Sequence, residues 1–347
     1  MSKPTVAVIL VNWNGWRECI ECLDTLLCSE GANFDVYIVD NDSADDSLNE
    51  IERWCREPTA DPSWQAFPGV RRLSAAAVPS PVGLRSVVWR GAALPPPPVG
   101  CQLTLIQSGA NLGFAGGNNV GMRCAGLDRY DYFWLLNTDT VVPVDALSQL
   151  LTEAELVPAA GLLGSTLVYY DQPATVQAVG GAVNPRDLHT YHLGEGLALS
   201  NLPAPAAVAP DLAYVVGASM LASQAFVREV GLMAEDYFLY FEELDWATRG
   251  AGRFHLAWAP ASVVYHKGGS TSAKVASRFS LQKFYINRLR FVARHHPRAL
   301  LRVWLLMLLE GLRLLRRANW PHLAALLDAM RQSPAIAARE RSRRAPI

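Results

Sequence analysis

The sequence predicts an α/β fold: a doubly wound, Rossmann-like mixed sheet with helices on both faces and a C-terminal helical extension. Two observations carry this. Apolar runs of strand length alternate with helix-length stretches, and each run ends in a short polar loop. The runs are apolar throughout rather than alternating, as expected of parallel strands buried on both sides. Half of the 347 residues are apolar, enough for a core on each face of such a sheet.

Thr5 to Val11 reads as the first strand, broken by Asn12-Trp13-Asn14-Gly15, with a helix from Trp16 to Cys28. Phe34 to Val39 is the second strand and ends in Asp40-Asn41-Asp42-Ser43; Asp45 and Asp46 open the next helix, which runs to Cys55. Residues 58–100 break the rhythm. They are rich in Pro, Ala and Ser, include Pro95-Pro96-Pro97-Pro98, and read as an insertion that is partly disordered or packed on the rim, with Val87-Val88-Trp89 a possible short strand. Leu103 to Ile106 resumes the sheet. Asn111-Leu112-Gly113-Phe114-Ala115-Gly116-Gly117-Asn118 then opens a helix, either as a plain glycine-rich turn or as a place where backbone approaches an anionic ligand.

Phe133-Trp134-Leu135-Leu136 is a buried strand ending in Asn137-Thr138-Asp139. In open α/β sheets ligands sit outside the carboxyl ends of the strands, so Asp139 is placed either to hold Mg²⁺ or Mn²⁺ or to cap the following helix. Leu147 to Val157 is a helix, Gly161 to Tyr169 and Val176 to Val183 are strands, Asp187 to Leu193 is a hairpin arm, and Gln224 to Val230 is a short helix. In Tyr237-Phe238-Leu239-Tyr240-Phe241-Glu242-Glu243-Leu244-Asp245, aromatics lead into crowded carboxylates. Such crowding raises pKa values and can poise a general base; a helix start favoured by its dipole gives the same pattern. Phe254 to Trp258 and Ser262 to Tyr265 are strands, and His266 before Gly268-Gly269-Ser270-Thr271 is either a metal ligand or a hydrogen-bonded loop residue.

The net charge of −1 argues against bulk nucleic-acid binding, but the charge is uneven. From Arg288 onward arginines outnumber acids heavily, which points to an anionic surface as partner. Leu300 to Leu315 is strongly apolar yet carries Arg302, Glu310 and Arg313, which suits a helix lying in a membrane interface better than one spanning it; packing on the catalytic domain is the alternative. Residues 334–347 read as a basic, disordered tail. Met1-Ser2-Lys3-Pro4 leads straight into the first strand, so the expected location is cytoplasmic and peripheral at the inner face of the cell membrane. Cys19 and Cys22 have redox or zinc spacing without a second pair, and helical spacing makes them buried thiols.

Together these stretches resemble the GT-A fold glycosyltransferase family 2, in particular its rhamnosyltransferase-like branch. Val11-Asn12-Trp13-Asn14, Val39-Asp40-Asn41-Asp42-Ser43, Asn111 to Asn118, Leu136-Asn137-Thr138-Asp139 and Phe241 to Asp245 match the branch's motifs in order, with Gly217-Ala218-Ser219 before the last and His266 after it. The resemblance covers residues 6–297 apart from the insertion. It implies a glycosyltransferase domain over residues 1–275, with a nucleotide-sugar half to about 142, an acceptor half from 143 and the insertion at 58–101. C-terminal helices at 276–333 follow.

By that resemblance Asp40 bonds a pyrimidine imide, in a pocket framed by Asn12 and Asn14, and Asp42 belongs to the substrate-binding set. Asn111, Gly113, Gly117 and Asn118 lie against the nucleotide-sugar, and Asn137, Gly217, Ala218 and Arg249 complete the substrate-binding set. Asp139 and His266 hold Mg²⁺ or Mn²⁺. Glu243 deprotonates the acceptor hydroxyl, with Asp245 and Glu242 positioning it or tuning its pKa. Asn137 stands at the first position of the DxD motif, and Glu243 stands where the family usually has Asp.

The implied reaction is an inverting displacement from dTDP-rhamnose to a hydroxyl of a growing cell-surface glycan or polyprenyl-diphosphate-linked acceptor. The alternatives are a galactofuranosyl- or hexosyltransferase using a UDP-sugar, and a nucleotide-sugar-binding scaffold with little turnover. A dehydrogenase is disfavoured because no dinucleotide fingerprint follows the first strand.

Overall fold

The computed structural model describes residues 3–75, 81–268 and 278–343. In chain order its elements are β1 (Thr5–Asn12), α1 (Trp16–Leu26), β2 (Asn33–Asp40), α2 (Ser47–Arg56), β3 (Leu84–Val88), β4 (Leu103–Gln107), α3 (Gly113–Ala125), β5 (Tyr132–Asn137), β6 (Thr140–Val141) and α4 (Ala146–Leu156). They continue with β7 (Ala160–Tyr169), β8 (Val176–Ala178), β9 (Gly180–Val183), β10 (Thr190–Leu193), α5 (Pro205–Val208), β11 (Ser219–Ser223), α6 (Gln224–Val230), α7 (Glu242–Gly250), β12 (His255–His266), α8 (Arg278–His295), α9 (Leu300–Arg316) and α10 (Trp320–Ser342).

The central sheet runs β3-β4-β2-β1-β5-β11-β7-β12-β6, with β8 beside β7. From β3 to β5 every pair is parallel; β11 joins antiparallel between β5 and β7, which makes the sheet mixed. Side chains of β1 alternate between two cores. Val6, Val8 and Leu10 pack with α1 and α2, while Ala7 and Ile9 pack with α3. This is why the strand must be apolar at every position. The register pairs Asn12 with Asp40 and Val11 with Asn137, so the polar ends of β1, β2 and β5 lie side by side on one edge. That edge carries the candidate site.

In the insertion, the possible short strand around Val87-Val88-Trp89 is β3, a parallel strand at the edge of the sheet beside β4, and Arg72 reaches the buried carboxylates of Glu21 and Asp24 on α1. Residues 76–80 lie outside the described residues. Two sequence expectations are corrected. The two strands expected at 254–265 are one, β12, with a register shift between Ala259 and Val263, where Pro260 supplies no N–H to the ladder. The expected disordered tail is helical to Ser342. Ser333, Ile336 and Glu340 are buried along α10, and Glu340 pairs with Arg294. The expected end of the tail, 344–347, lies outside the described residues.

Cys19 and Cys22 are fully buried, and burial pushes the Cys22 thiol up to about 12. The C-terminal helices form their own core, in which Leu289, Val303, Met307 and Leu326 meet Leu188 of the β9–β10 turn. Among the described residues no helix is long and apolar enough to cross a membrane.

Candidate active site

The first part of the edge is a hydrogen-bonded loop system. Asn12 Nδ2 donates to Asp40 Oδ1 at 3.0 Å, and the Ser43 hydroxyl donates to the same oxygen at 2.6 Å. The Ser43 backbone N–H donates to Asp40 Oδ2 at 3.1 Å. Asp40 is thus buried and already serves as the cap of its own loop. Asn12 Oδ1 is buried with no hydrogen-bond partner, which leaves one acceptor at this spot for an incoming donor. Asn14 has a left-handed backbone, and its Oδ1 accepts from Ala44 N at 2.7 Å; it shapes the loop. Asp42, also left-handed, is exposed.

Asn41 was not singled out, yet it joins two motifs. Its Nδ2 donates to Gly113 O at 3.0 Å and its Oδ1 accepts from Leu112 N at 3.1 Å, while Asn111 Oδ1 accepts from Gly113 N at 3.0 Å. Gly113 has φ +70°, and a Cβ there would lie 2.3 Å from Phe238 O. Gly117 does not border open space. A Cβ on it would meet Val11 Cγ1 at 2.7 Å, so this glycine lets α3 approach β1, which corrects its expected ligand contact. Asn118 is likewise buried, bonding Phe114 O within its own helix.

The third part lies at the ends of β5 and β12. Asp139 Oδ1 is 3.3 Å from His266 Nε2, and Asn137 Nδ2 is 3.4 Å from the same nitrogen. On the other side of the ring, His266 Nδ1 is 2.6 Å from Gln177 Oε1 of β8. An amide oxygen can only accept, so Nδ1 carries the proton. In the neutral ring, Nε2 then turns its lone pair toward a carboxylate. Two electron-rich atoms facing each other at this distance suit a cation between them, and a ligand histidine held by its other N–H is a recurrent metal arrangement. Among the described residues no group of three or more His, Cys, Asp or Glu converges as a metal cage. Asp139 and His266 would therefore be two ligands of a metal that takes its others from phosphate oxygens and water, as Mg²⁺ and Mn²⁺ do. Of the loop after His266, Gly269, Ser270 and Thr271 lie outside the described residues.

The fourth part is the entry to α7. Phe238, Tyr240 and Phe241 have φ of 64°, 70° and 72°, conformations that L-residues with large side chains rarely take. Asn287 of α8 holds the loop in place, its Nδ2 donating to the carbonyls of Tyr237 at 2.6 Å and Leu239 at 2.8 Å. The strained loop delivers Glu242 and Glu243 to a cavity of about 640 Å³ also bordered by Asn137, Gly217, Ala218 and His266. Gly217 N–H donates to Glu243 Oε1 at 3.3 Å, and a Cβ on Gly217 would lie 2.6 Å from that oxygen. Burial raises the pKa of Glu243 against the pull of the Gly217 N–H. Burial and then the Glu243 charge raise that of Glu242 well above the carboxylate range, and Glu242 Oε2 has no hydrogen-bond partner.

Asp245 is not in this cavity. It faces the other side of α7, fully buried, where it accepts from His295 Nε2 at 2.7 Å, Arg249 Nε at 2.8 Å and Tyr237 Oη at 3.2 Å. Burial would raise its pKa, but the His295 hydrogen bond and the Arg249 charge prevail and push it down to about 2. Arg249 Nη1 and Nη2 donate to Val230 O and Leu232 O. The expectation that Arg249 binds substrate is corrected, and Asp245 stands outside the cavity: both hold α7 to its neighbours. Asp245 still bears on the site at a distance, because its charge adds to the rise at Glu242.

No protein-family profile matches the chain. It is 28% identical over 148 residues to the low-salt glycan biosynthesis hexosyltransferase Agl10 of Haloferax volcanii, a match spanning 42% of this chain and 45% of that relative's length. Mannosyltransferase PcManGT from Pyrobaculum calidifontis, solved with GDP-Man and Mn²⁺, superposes with a TM-score of 0.51 at 14% identity, covering 96% of this chain and 88% of that one. The fold is glycosyltransferase-like. Residues 1–349 of S. aureus TarS give a TM-score of 0.47 at 12% identity, covering 83% of this chain and 64% of that one.

Within this glycosyltransferase-like fold, the cavity has a wall that the sequence did not reveal. His189, Thr190 and His192 on the β9–β10 hairpin, Tyr214 before β11, and Tyr240 and Phe284 line the cavity together with Glu243. Burial lowers the pKa of His192, so the wall is polar and aromatic but not cationic there. No local motif marks these residues; only the hairpin's return to the sheet edge brings them in.

Proposed function

We propose that the protein is an inverting glycosyltransferase that moves a sugar from a nucleotide-sugar to a hydroxyl of a glycan acceptor. One observation carries the reading: Glu243, held in a cavity by Gly217 N–H, shares that cavity with Asn137 and His266 at the strand ends where Asp139 stands. A desolvated carboxylate of raised pKa suits proton abstraction from a hydroxyl at neutral pH. The aromatic and polar wall suits a sugar ring.

Asp139 and His266 would hold Mg²⁺ or Mn²⁺, with Gln177 fixing the imidazole; the Pyrobaculum mannosyltransferase of like fold, solved with Mn²⁺, supports this. A bound divalent cation supplies charge neutralisation for the departing nucleotide diphosphate. Asn12, Asp40 and Asp42 would face the base and Asn111 and Gly113 the nucleotide-sugar, at the carboxyl ends of the strands. The donor is dTDP-rhamnose on the resemblance of the motifs. The hexosyl reading, with a UDP-sugar, draws on the likeness to Agl10, a hexosyltransferase by name. The acceptor is a growing cell-surface glycan or one carried on a polyprenyl-diphosphate lipid; the basic C-terminal helices favour the lipid-borne form, with the enzyme peripheral at an anionic membrane.

Release of dTDP, UDP or GDP is measured from dTDP-rhamnose, UDP-sugars and GDP-mannose with Mg²⁺ or Mn²⁺ and membrane lipid extract as acceptor. Release that needs the extract and is lost in Glu243→Gln and Asp139→Ala supports the reading. A chain that binds no nucleotide-sugar under any of these conditions would sink it.

A further inference from the structure

The outer face of α9 is a continuous apolar stripe. Leu301, Leu305, Leu308, Leu312 and Leu315 recur at helical spacing and are all exposed, from 70% at Leu301 to 39% at Leu308, while Val303, Met307 and Gly311 on the opposite side are buried. Trp320, 60% exposed, stands just beyond the helix end. A row of exposed leucines of this length is too large to be incidental on a soluble surface.

The charges around it decide the occupant. Arg298, Arg302, Arg313, Arg316 and Arg317 are exposed along α9 and its ends. The acids of the same region turn inward: Glu310 accepts from Tyr285 Oη and Arg288 Nη1, Asp328 from Gln282, and Glu340 from Arg294. A second copy docking through this face would set arginine against arginine with no acid to answer. Anionic headgroups would meet those arginines while the leucines enter the acyl boundary. The helix is also tied to the acceptor wall. Arg302 Nη2 donates to Pro185 O at 3.1 Å, and Leu188, which packs in the same core as Val303 and Met307, immediately precedes His189 and Thr190 in the cavity wall.

We propose that the outer face of α9 docks on an anionic lipid surface, lying in the plane of the interface and setting the β9–β10 hairpin beside lipid-borne acceptors. The proposal rests on the glycosyltransferase reading for its purpose, not for its surface. The full chain is sedimented with vesicles of phosphatidylcholine alone or of equal parts phosphatidylcholine and phosphatidylglycerol. The expected result is binding to the anionic vesicles only, weakening as salt rises. Leu305→Asp/Leu312→Asp, at exposed positions, should lower the bound fraction about tenfold or more, and Arg313→Glu/Arg316→Glu should lower it most at low salt.

Absence of binding to anionic vesicles overturns the proposal. So does binding unchanged in the leucine variant, or a dimer in solution that this variant dissociates. Nucleotide-sugar binding measured without vesicles reports on the site separately. Donor binding without vesicle binding overturns the docking face alone. Vesicle binding that depends on the leucines, by a chain that binds no donor, supports the docking face and overturns the glycosyltransferase reading.

Discussion

Asp245→Asn separates the two carboxylates that stand two residues apart on α7. The side chain is fully buried and takes hydrogen bonds from His295, Arg249, Arg294 and Tyr237 at 2.7 to 3.3 Å. Asn keeps the shape and removes the charge. Breaking a buried ion pair from one side costs roughly 3–5 kcal/mol because the partner charges remain buried. Here Arg294 keeps Asp236 and Glu340, and Arg249 keeps two carbonyls, so the lower end, about 3 kcal/mol, is expected.

The pH dependence gives a second reading of the same substitution. The folded pKa of Asp245, about 2, lies below its ordinary 3.8. The carboxylate therefore contributes stability that is present above the ordinary value and lost as pH falls through the folded one. The difference amounts to about 2 kcal/mol. Urea unfolding followed by tryptophan fluorescence, at neutral pH and across pH 5 to 2, measures both. The wild type should lose more stability on acidification than Asp245→Asn by about 2 kcal/mol. Turnover of the folded variant should fall by less than about tenfold, since Asp245 only tunes Glu242 from behind. A variant as stable as the wild type but without turnover would refute the assignment and return Asp245 to the chemistry.

Glu243→Gln should lower turnover by about 10²–10⁴ while donor binding measured calorimetrically stays unchanged, as for loss of a general base. The raised pKa of Glu243 shifts the acidic limb of the wild-type pH–rate profile above that of an ordinary glutamate, with activity rising as pH climbs through it; a limb at or below the ordinary glutamate value would contradict this. Gln177→Leu removes the acceptor on His266 Nδ1 and should weaken Mn²⁺ affinity, read by titration in the presence of nucleotide, by about 10–100-fold. Asn287→Leu releases the loop carrying three residues of positive φ and should lower turnover together with protection of the Tyr237–Glu243 amides in hydrogen exchange.

The strands that build the site edge were legible because β1, β2 and β5 must be apolar on both faces, and their polar ends then mark the ligand edge. The roles of individual residues within the motifs were less so. Gly117 lies in a glycine-rich motif, yet which strand α3 packs on, and so that Val11 fills the space beside it, is a tertiary fact. Asp245 was separable in principle. Residues two apart on a helix point to nearly opposite sides, and Arg249 four residues on announces an ion pair. Gln177 on β8 and the His189–His192 wall of the β9–β10 hairpin lie in stretches legible as strands, but their place at the site left no trace, because only the fold brings them to the sheet edge. The tail misled by composition: its arginines suggested disorder, while Ile336 and Glu340, four apart, already described a buried helical face.

The central claim is that Glu243 takes the proton of an acceptor hydroxyl while a nucleotide-sugar lies at the strand ends. The most direct measurement is nucleotide release by the wild type and Glu243→Gln, each first shown to bind the same donor in the presence of Mn²⁺. The account predicts equal donor binding and acceptor-dependent release by the wild type alone. Acceptor-dependent release undiminished in Glu243→Gln would contradict it.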